Sequence, residues 1–510
     1  MGQRKQFSIK QLVTVEPVIF FYAFALFMHQ PVIQQYIYFR IAKAKGFPYE
    51  TNKASSCGNA TSLNSTLIEL EKEVQSLSSY VLLGVVLFSS IPSLFTSLLI
   101  GSWTDSRGRK PALLLPALGS SIEAGLAIAV MYMEWPVYVL FIGGAINGIS
   151  GYFTTVVMGV MAYVVDTTDE SHHSVRLAVL ELLTYAGGMV SQLTSGLWIE
   201  KYGFITPYWF ILGCLLFSVL YTAIFVPESR PPSDLPDEKV SFFSCKSLKR
   251  IYKVYSAPRE GGRRNLVLIT ICSGILQSVL MGLTATITLF MIHTPLCFSP
   301  EWVGYFTAWR SLSIGLGAIL GIKLLGKCFS ELTIARFGIL TRLGSLVLLG
   351  FSTTKLLIYM VPLVGLLNGC PLPIMRGMLS RIVSSDEQGA LFAAVASLET
   401  LSNFLGSFMF NTLYPASLKA DFPPFVFLLG AGLTIIPFVL LWFLKNPRSL
   451  LTKRDRVQIV GNSGEIDDDS LKNTVDNFDP DSSATETSPL TDSMRHRGSY
   501  TNNAAPEAVA

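Results

Sequence analysis

Apolar residues run through this chain in long stretches interrupted by short polar ones. Windows of roughly 19 residues, enough helix to cross a bilayer, place spans near 15–38, 79–101, 111–132, 136–163, 175–197, 206–226, 265–292, 302–325, 332–352, 355–379, 389–412 and 423–445. The fourth, long and Gly-rich, and the ninth, interrupted by Arg336 and Arg342, fit least well. The spans fall six and six about a polar stretch, 227–264, rich in Pro, Ser, Lys and Arg. Lys246, Lys249, Arg250, Lys253, Arg263 and Arg264 place this linker in the cytoplasm, because cytoplasmic loops carry the excess of Lys and Arg. An even span count then brings both ends of the chain to the same side. The flanks agree: Arg4, Lys5 and Lys10 in 1–14, and Lys445, Arg448, Lys453, Arg454 and Arg456 around the start of 446–510. The pattern predicts an all-α membrane protein with 12 transmembrane helices in two six-helix halves, 15–226 and 265–445.

Outside the spans, 42–78 is the longest loop on the face opposite the linker. It carries two glycosylation sequons, at Asn59 and Asn64, which modify only chain that enters the secretory lumen. Cys57 lies in the same loop, and Cys297 in the short loop between spans seven and eight. Both face an oxidising compartment, where disulfides persist, so we expect them to pair. The tail beyond about 456 is polar, with an acidic patch over 465–469. It lacks the apolar content to bury a core, which predicts disorder.

Composition agrees with a membrane protein. Half of the residues are hydrophobic and 15% charged, with a mean hydropathy of +0.46. The net charge of +4 is spread over loops, so it reports topology rather than nucleic-acid binding. The basic, polar start leads straight into a full-length span, unlike a cleavable signal peptide. None of the seven cysteines shows metal-ligand spacing, and no cofactor is expected.

Two features carry chemistry. The first is the loop between spans two and three, Gly101-Ser-Trp-Thr-Asp105-Ser-Arg-Gly108-Arg109-Lys110. Gly101 and Gly108 permit close helix approach and a tight turn. Asp105 and Arg109, four apart, pair if the turn is helical. The second is the set of charges inside spans: Glu123, Glu181, Arg310, Arg376 and Glu399. A charge near the bilayer centre costs about 2.5–3.5 kcal/mol on insertion scales, so each needs a reason. Glu181 follows Leu180 and precedes Leu182 and Leu183, far from where it could snorkel. Arg376 follows Pro371 and Pro373, which we expect to break the helix and expose carbonyls beside the charge. Gln30-Pro31, next to His29, reads as a break in span one.

The loop between spans two and three resembles the Gly-x-x-x-Asp-x-x-Gly-Arg-[Arg/Lys] signature of the major facilitator superfamily. Within it, Val15-Glu16-Pro17, Gln35-Tyr36, Thr294-Pro-Leu-Cys297, Glu387-Gln-Gly-Ala-Leu-Phe392 and Leu413-Tyr-Pro-Ala-Ser417 resemble the solute carrier 46 family across about 13–445. The resemblance implies the major facilitator fold and symport of an organic anion of the folate kind with protons. It makes Glu181 the proton-coupling carboxylate, Arg376 the substrate-binding cation, and Gly101, Asp105, Gly108 and Arg109 the gating loop; Arg310, as a charge inside a span, is a second candidate for the substrate. The two sequons and the pair Cys57/Cys297 match the family's outer loops. Leu280 replaces a histidine tied to proton coupling, and Tyr152 and Gly144 replace an aspartate and an arginine.

The expected function is a secondary active transporter working by alternating access, with a small organic anion, protons and the lipid bilayer as partners. Other anions remain open, among them steroid conjugates, bile acids and muropeptides. The membrane is the plasma membrane or an endosomal or lysosomal one. A non-transporting receptor built on the same fold is the alternative of another class. An enzyme is not expected, because no nucleophile–base pair or metal motif is visible.

Overall fold

The computed structural model describes residues 14–48, 65–168, 170–229, 252–257, 263–293, 296–383 and 387–444. Two units divide the chain, Met1–Asp455 and Arg456–Ala510. The second, most of the linker and the sequon loop with Cys57, Asn59 and Asn64 lie outside the described residues. The helices are α1 (Glu16–Lys45), α2 (Ser65–Arg107), α3 (Lys110–Tyr132), α4 (Leu140–Ile149), α5 (Tyr152–Thr167), α6 (Glu170–Tyr202) and α7 (Ile205–Phe225). Then come α8 (Arg263–Ile292), α9 (Pro300–Leu320), α10 (Glu331–Gly350), α11 (Lys355–Val364), α12 (Pro371–Ile382), α13 (Gln388–Lys419) and α14 (Phe425–Leu440).

Among the described residues nine stretches are long and apolar enough to cross a membrane, α4 and α5 forming one of them. The pair α11 and α12, bent by 50°, makes a tenth. Two further helices occupy expected spans without passing that test. In α6, His172, His173, Glu181 and the hydroxyl residues dilute the apolar content, and α14 is only 16 residues long. Each of the twelve expected spans is thus occupied by helix.

Three local expectations are corrected. Helix α1 runs through Pro31 to Lys45 rather than breaking at Gln30; neighbouring helices re-satisfy the carbonyl that a proline leaves free. Helix α2 starts at Ser65, well before position 79. Hydropathy treats Glu69, Glu71, Lys72 and Glu73 as loop, yet Glu and Lys are good helix formers. Pro371 and Pro373 sit in the first turn of α12, where proline is tolerated. The bend therefore precedes them, at the 3₁₀ turn Leu366–Gly369, and Arg376 lies within regular helix. A real break does interrupt the fourth span: Gly151 at φ 107 and Tyr152 at φ 57 separate α4 from α5.

The two halves meet chiefly along α2 with α13 and α6 with α9. Their polar contacts gather toward the end that the charge pattern places outside, here called the outer end. There Ser79 Oγ donates to the Asn411 carbonyl at 2.8 Å, Tyr414 OH to Gln75 at 3.4 Å, and Lys72 pairs with Asp421. A Cβ added to Gly196 of α6 would stand 2.5 Å from the Pro300 carbonyl and 3.0 Å from Gly304 Cα. Only glycine permits that crossing. Also at this end, Lys43 and then Arg40 hold the exposed Glu134 carboxyl below its ordinary pKa.

Candidate functional site

The gating loop is built on a chain reversal. Gly108, at φ 101, ends α2, and Arg109 caps α3. The side chain of Asp105 lies outside the described residues, whereas that of Arg109 does not: its Nε donates to Asp166 Oδ2 of α5 at 2.9 Å. Both side chains of this ion pair are nearly buried, at 11% and 14%. Glu228, just after α7, accepts the main-chain amides of Arg109 at 2.5 Å and Lys110 at 3.2 Å. A carboxylate at the start of α3 complements the helix dipole and satisfies amides without a helical partner. Gly101 faces Met158 of α5, whose Cε would lie 3.1 Å from an added Cβ. The loop, α5 and the residues after α7 thus form one clamp at the end opposite the outer one.

The charges inside spans divide by their partners. Arg376 Nε donates to Glu399 Oε1 of α13 at 3.1 Å, and its Nη2 bonds the same oxygen. Two of the expected site residues are thus an internal ion pair. Glu123 of α3 accepts from Asn147 Nδ2 at 2.5 Å, and the network continues through Ser120 to Tyr22. This carboxyl forms no ion pair with a described residue. Glu181 lies in α6; its side chain is outside the described residues.

Arg310 is different. It lies in α9, partly accessible, with no hydrogen bond or ion pair among the described residues. It lines a small cavity within the second half, shared with Arg342 of α10. Arg342 is 3% exposed and fixed by two neutral oxygens: Nε donates to Asn368 Oδ1, and Nη1 to the Leu276 carbonyl at 2.9 Å. No carboxylate neutralises either guanidinium among the described residues. The opposite wall is apolar, with Leu280, Leu283, Ile287 and Phe306. Leu280, at the position where the family resemblance expects a histidine, therefore faces this space. Sequence reading took Arg342 only as a blemish in span nine. The rule applied to Glu181, that a charge between apolar neighbours in a span needs a partner, would have found it.

Two guanidiniums on one cavity without a described carboxylate attract an anion, and comparison with known proteins bears on this. The Major Facilitator Superfamily model matches residues 17–327. The proton-coupled folate transporter of Rattus norvegicus is 32% identical over 434 residues, 85% of this chain and 92% of that protein. The lysosomal proton-coupled steroid conjugate and bile acid symporter SLC46A3 of the same species is 33% identical over 436 residues, 84% and 94% of the two chains. The chain belongs to the solute carrier 46 family of the major facilitator superfamily. Its fold is that of the human organic anion transporter MFSD10, with a TM-score of 0.59 at 17% identity, covering 85% of this chain and 99% of the other. As a family member it is a multi-pass membrane transporter and not an enzyme.

Cys297 is disulfide-bonded, to a residue outside the described ones. Cys214, Cys272, Cys328 and Cys370 are free.

Proposed function

We propose that this transporter carries an amphipathic organic anion, a carboxylate or sulfate on a bulky apolar body, together with protons by alternating access. The observation that carries the reading is the cavity with two guanidinium groups and, among the described residues, no carboxylate. Uncompensated buried charge is costly, so the site is built to be completed by an anion. A planar guanidinium binds carboxylate or sulfate through paired hydrogen bonds. Asn368 and the Leu276 carbonyl hold Arg342 in place, while Arg310 keeps its donors for a ligand. The walls at Leu280, Leu283, Ile287 and Phe306 suit a steroid conjugate or bile acid, the substrates named for the second relative, better than a folate with its polar ring system. Arg376 is a second anion contact in this reading, released when Glu399 takes a proton. Glu181 is the coupling carboxyl, with Glu123 its alternative. The membrane is the plasma membrane or that of an acidic organelle.

The test is uptake of labelled steroid sulfate, bile acid and folate by the full-length protein in proteoliposomes, with acid at the outer face. Accumulation of the first two is expected. In Arg342→Lys the fork geometry is lost, and KM should rise about tenfold, in line with the loss of one charge-assisted hydrogen bond. Saturable binding of these anions without flux would replace transport by the receptor reading. Unchanged KM in both Arg342→Lys and Arg310→Gln would move the anion site elsewhere.

A further inference from the structure

His293 closes α8 at the outer end, and its imidazole crosses to the other half of the molecule. Nδ1 lies 2.8 Å from Glu71 Oε1 of α2, with side-chain exposures of 10% and 3%. The histidine is rigidly mounted. Its amide donates to the Leu289 carbonyl, and its own carbonyl accepts from Leu296 and Cys297, so the turn leading to the disulfide is pinned on it. Glu71 is set just as firmly, in the stretch of α2 that extends past the apolar span. Neighbouring polar contacts also join the halves at this end: Tyr414 to Gln75, Ser79 to Asn411, and Lys72 to Asp421.

We propose that His293 and Glu71 are a proton-operated latch, which closes the outer end when His293 takes a proton from the outer medium and lets it open when the proton returns there. An ionised carboxylate only accepts hydrogen bonds, so imidazole gives it the proton on Nδ1 and keeps a lone pair on Nε2 for the incoming one. With Nε2 protonated, a hydrogen bond from neutral imidazole to the carboxylate becomes an ion pair in a buried place, where the attraction is stronger. Acid therefore favours the closed outer end, and alkali weakens that preference. Among the described residues, other titratable or charged groups near the pair are Tyr414 of α13, bonded to Gln75, and the ion pair of Lys72 and Asp421. Lys72 adjoins Glu71 in sequence but is already engaged. The proton enters and leaves on one side, so the latch adds a pH-dependent step to the cycle without carrying charge across. This rests on the proposed transport from an acidic medium, yet its readout is conformational and needs no substrate.

The experiment places spin labels at Met133→Cys and Thr353→Cys in a Cys245→Ser, Cys328→Ser background. These are exposed outer-end positions, one in each half. Distances are measured by double electron–electron resonance on the full-length protein at pH 5 and pH 8. The distribution should shift toward the short, closed distance at pH 5. His293→Gln, which keeps a neutral donor, should abolish the shift; His293→Lys, charged at both pH values, should stay closed in both. Glu71→Gln serves as a second route to the loss should the histidine variants fail to fold. A wild-type distribution indifferent to pH, or a full shift surviving in His293→Gln or Glu71→Gln, overturns the latch. Uptake in the same preparation separates the two ideas: acid-driven flux with an unaltered shift in His293→Gln defeats the latch alone, and a normal latch without flux defeats transport alone.

Discussion

A single carboxyl that gains a proton on one side and loses it on the other is enough to couple uptake to acid, and Glu181 in α6 is the proposed carrier. It stands between Leu180 and Leu182 in the sequence, where a carboxyl in a span needs a reason. Glu181→Gln mimics the protonated form permanently, so concentrative uptake at acid outer pH should fall about tenfold or more while exchange of substrate persists, because exchange needs no proton release. Measuring both fluxes in the same vesicles decides it. Wild-type accumulation by Glu181→Gln, with loss in Glu123→Gln, assigns the task to the Asn147-bonded carboxyl of α3 instead. At this scale the chain was partly legible. A charge between apolar neighbours can be read from order alone, which marks Arg310 and Glu123. Who neutralises whom cannot: Arg376 meets Glu399, and Arg109 meets Asp166, across turns and helices that no local spacing reveals.

Among the helices, the crossing of α6 and α9 is the tightest place where the halves touch. Gly196 faces the Pro300 carbonyl there, so Gly196→Val would push main chain against main chain. Overpacking of this kind costs about 1–3 kcal/mol, enough to reduce closure of the outer end about fivefold or more. Transport rate should drop by about that factor with the amount at the membrane nearly unchanged. Undiminished transport would show that the two helices part at this point without penalty. Hydropathy located nearly every helix because lipid demands apolar surface over a fixed length. It failed where that demand lapses: at the polar outer turns of α2 and at the 3₁₀ turn before α12, where the prolines were legible but not the side of the bend on which they fall.

Across the whole molecule, one covalent tie is expected to hold the outer face. Cys297 is bonded, four cysteines are free, and the two others are Cys57 and Cys245. The linker carrying Cys245 belongs by its charge to the reducing side. Non-reducing mass spectrometry of properly trafficked protein should recover a Cys57–Cys297 peptide, and alkylation of both thiols would refute it. The cavity shared by Arg310 and Arg342 also has an electrical meaning. In the proposed cycle an empty carrier holds the two guanidiniums and an ionised Glu181, and a loaded one holds the two guanidiniums, a monovalent anion and a protonated Glu181, so the sum is the same. Each charge displaced through the membrane field is worth about 2.3 kcal/mol per 100 mV. The empty and the loaded reorientation should therefore feel the membrane voltage alike.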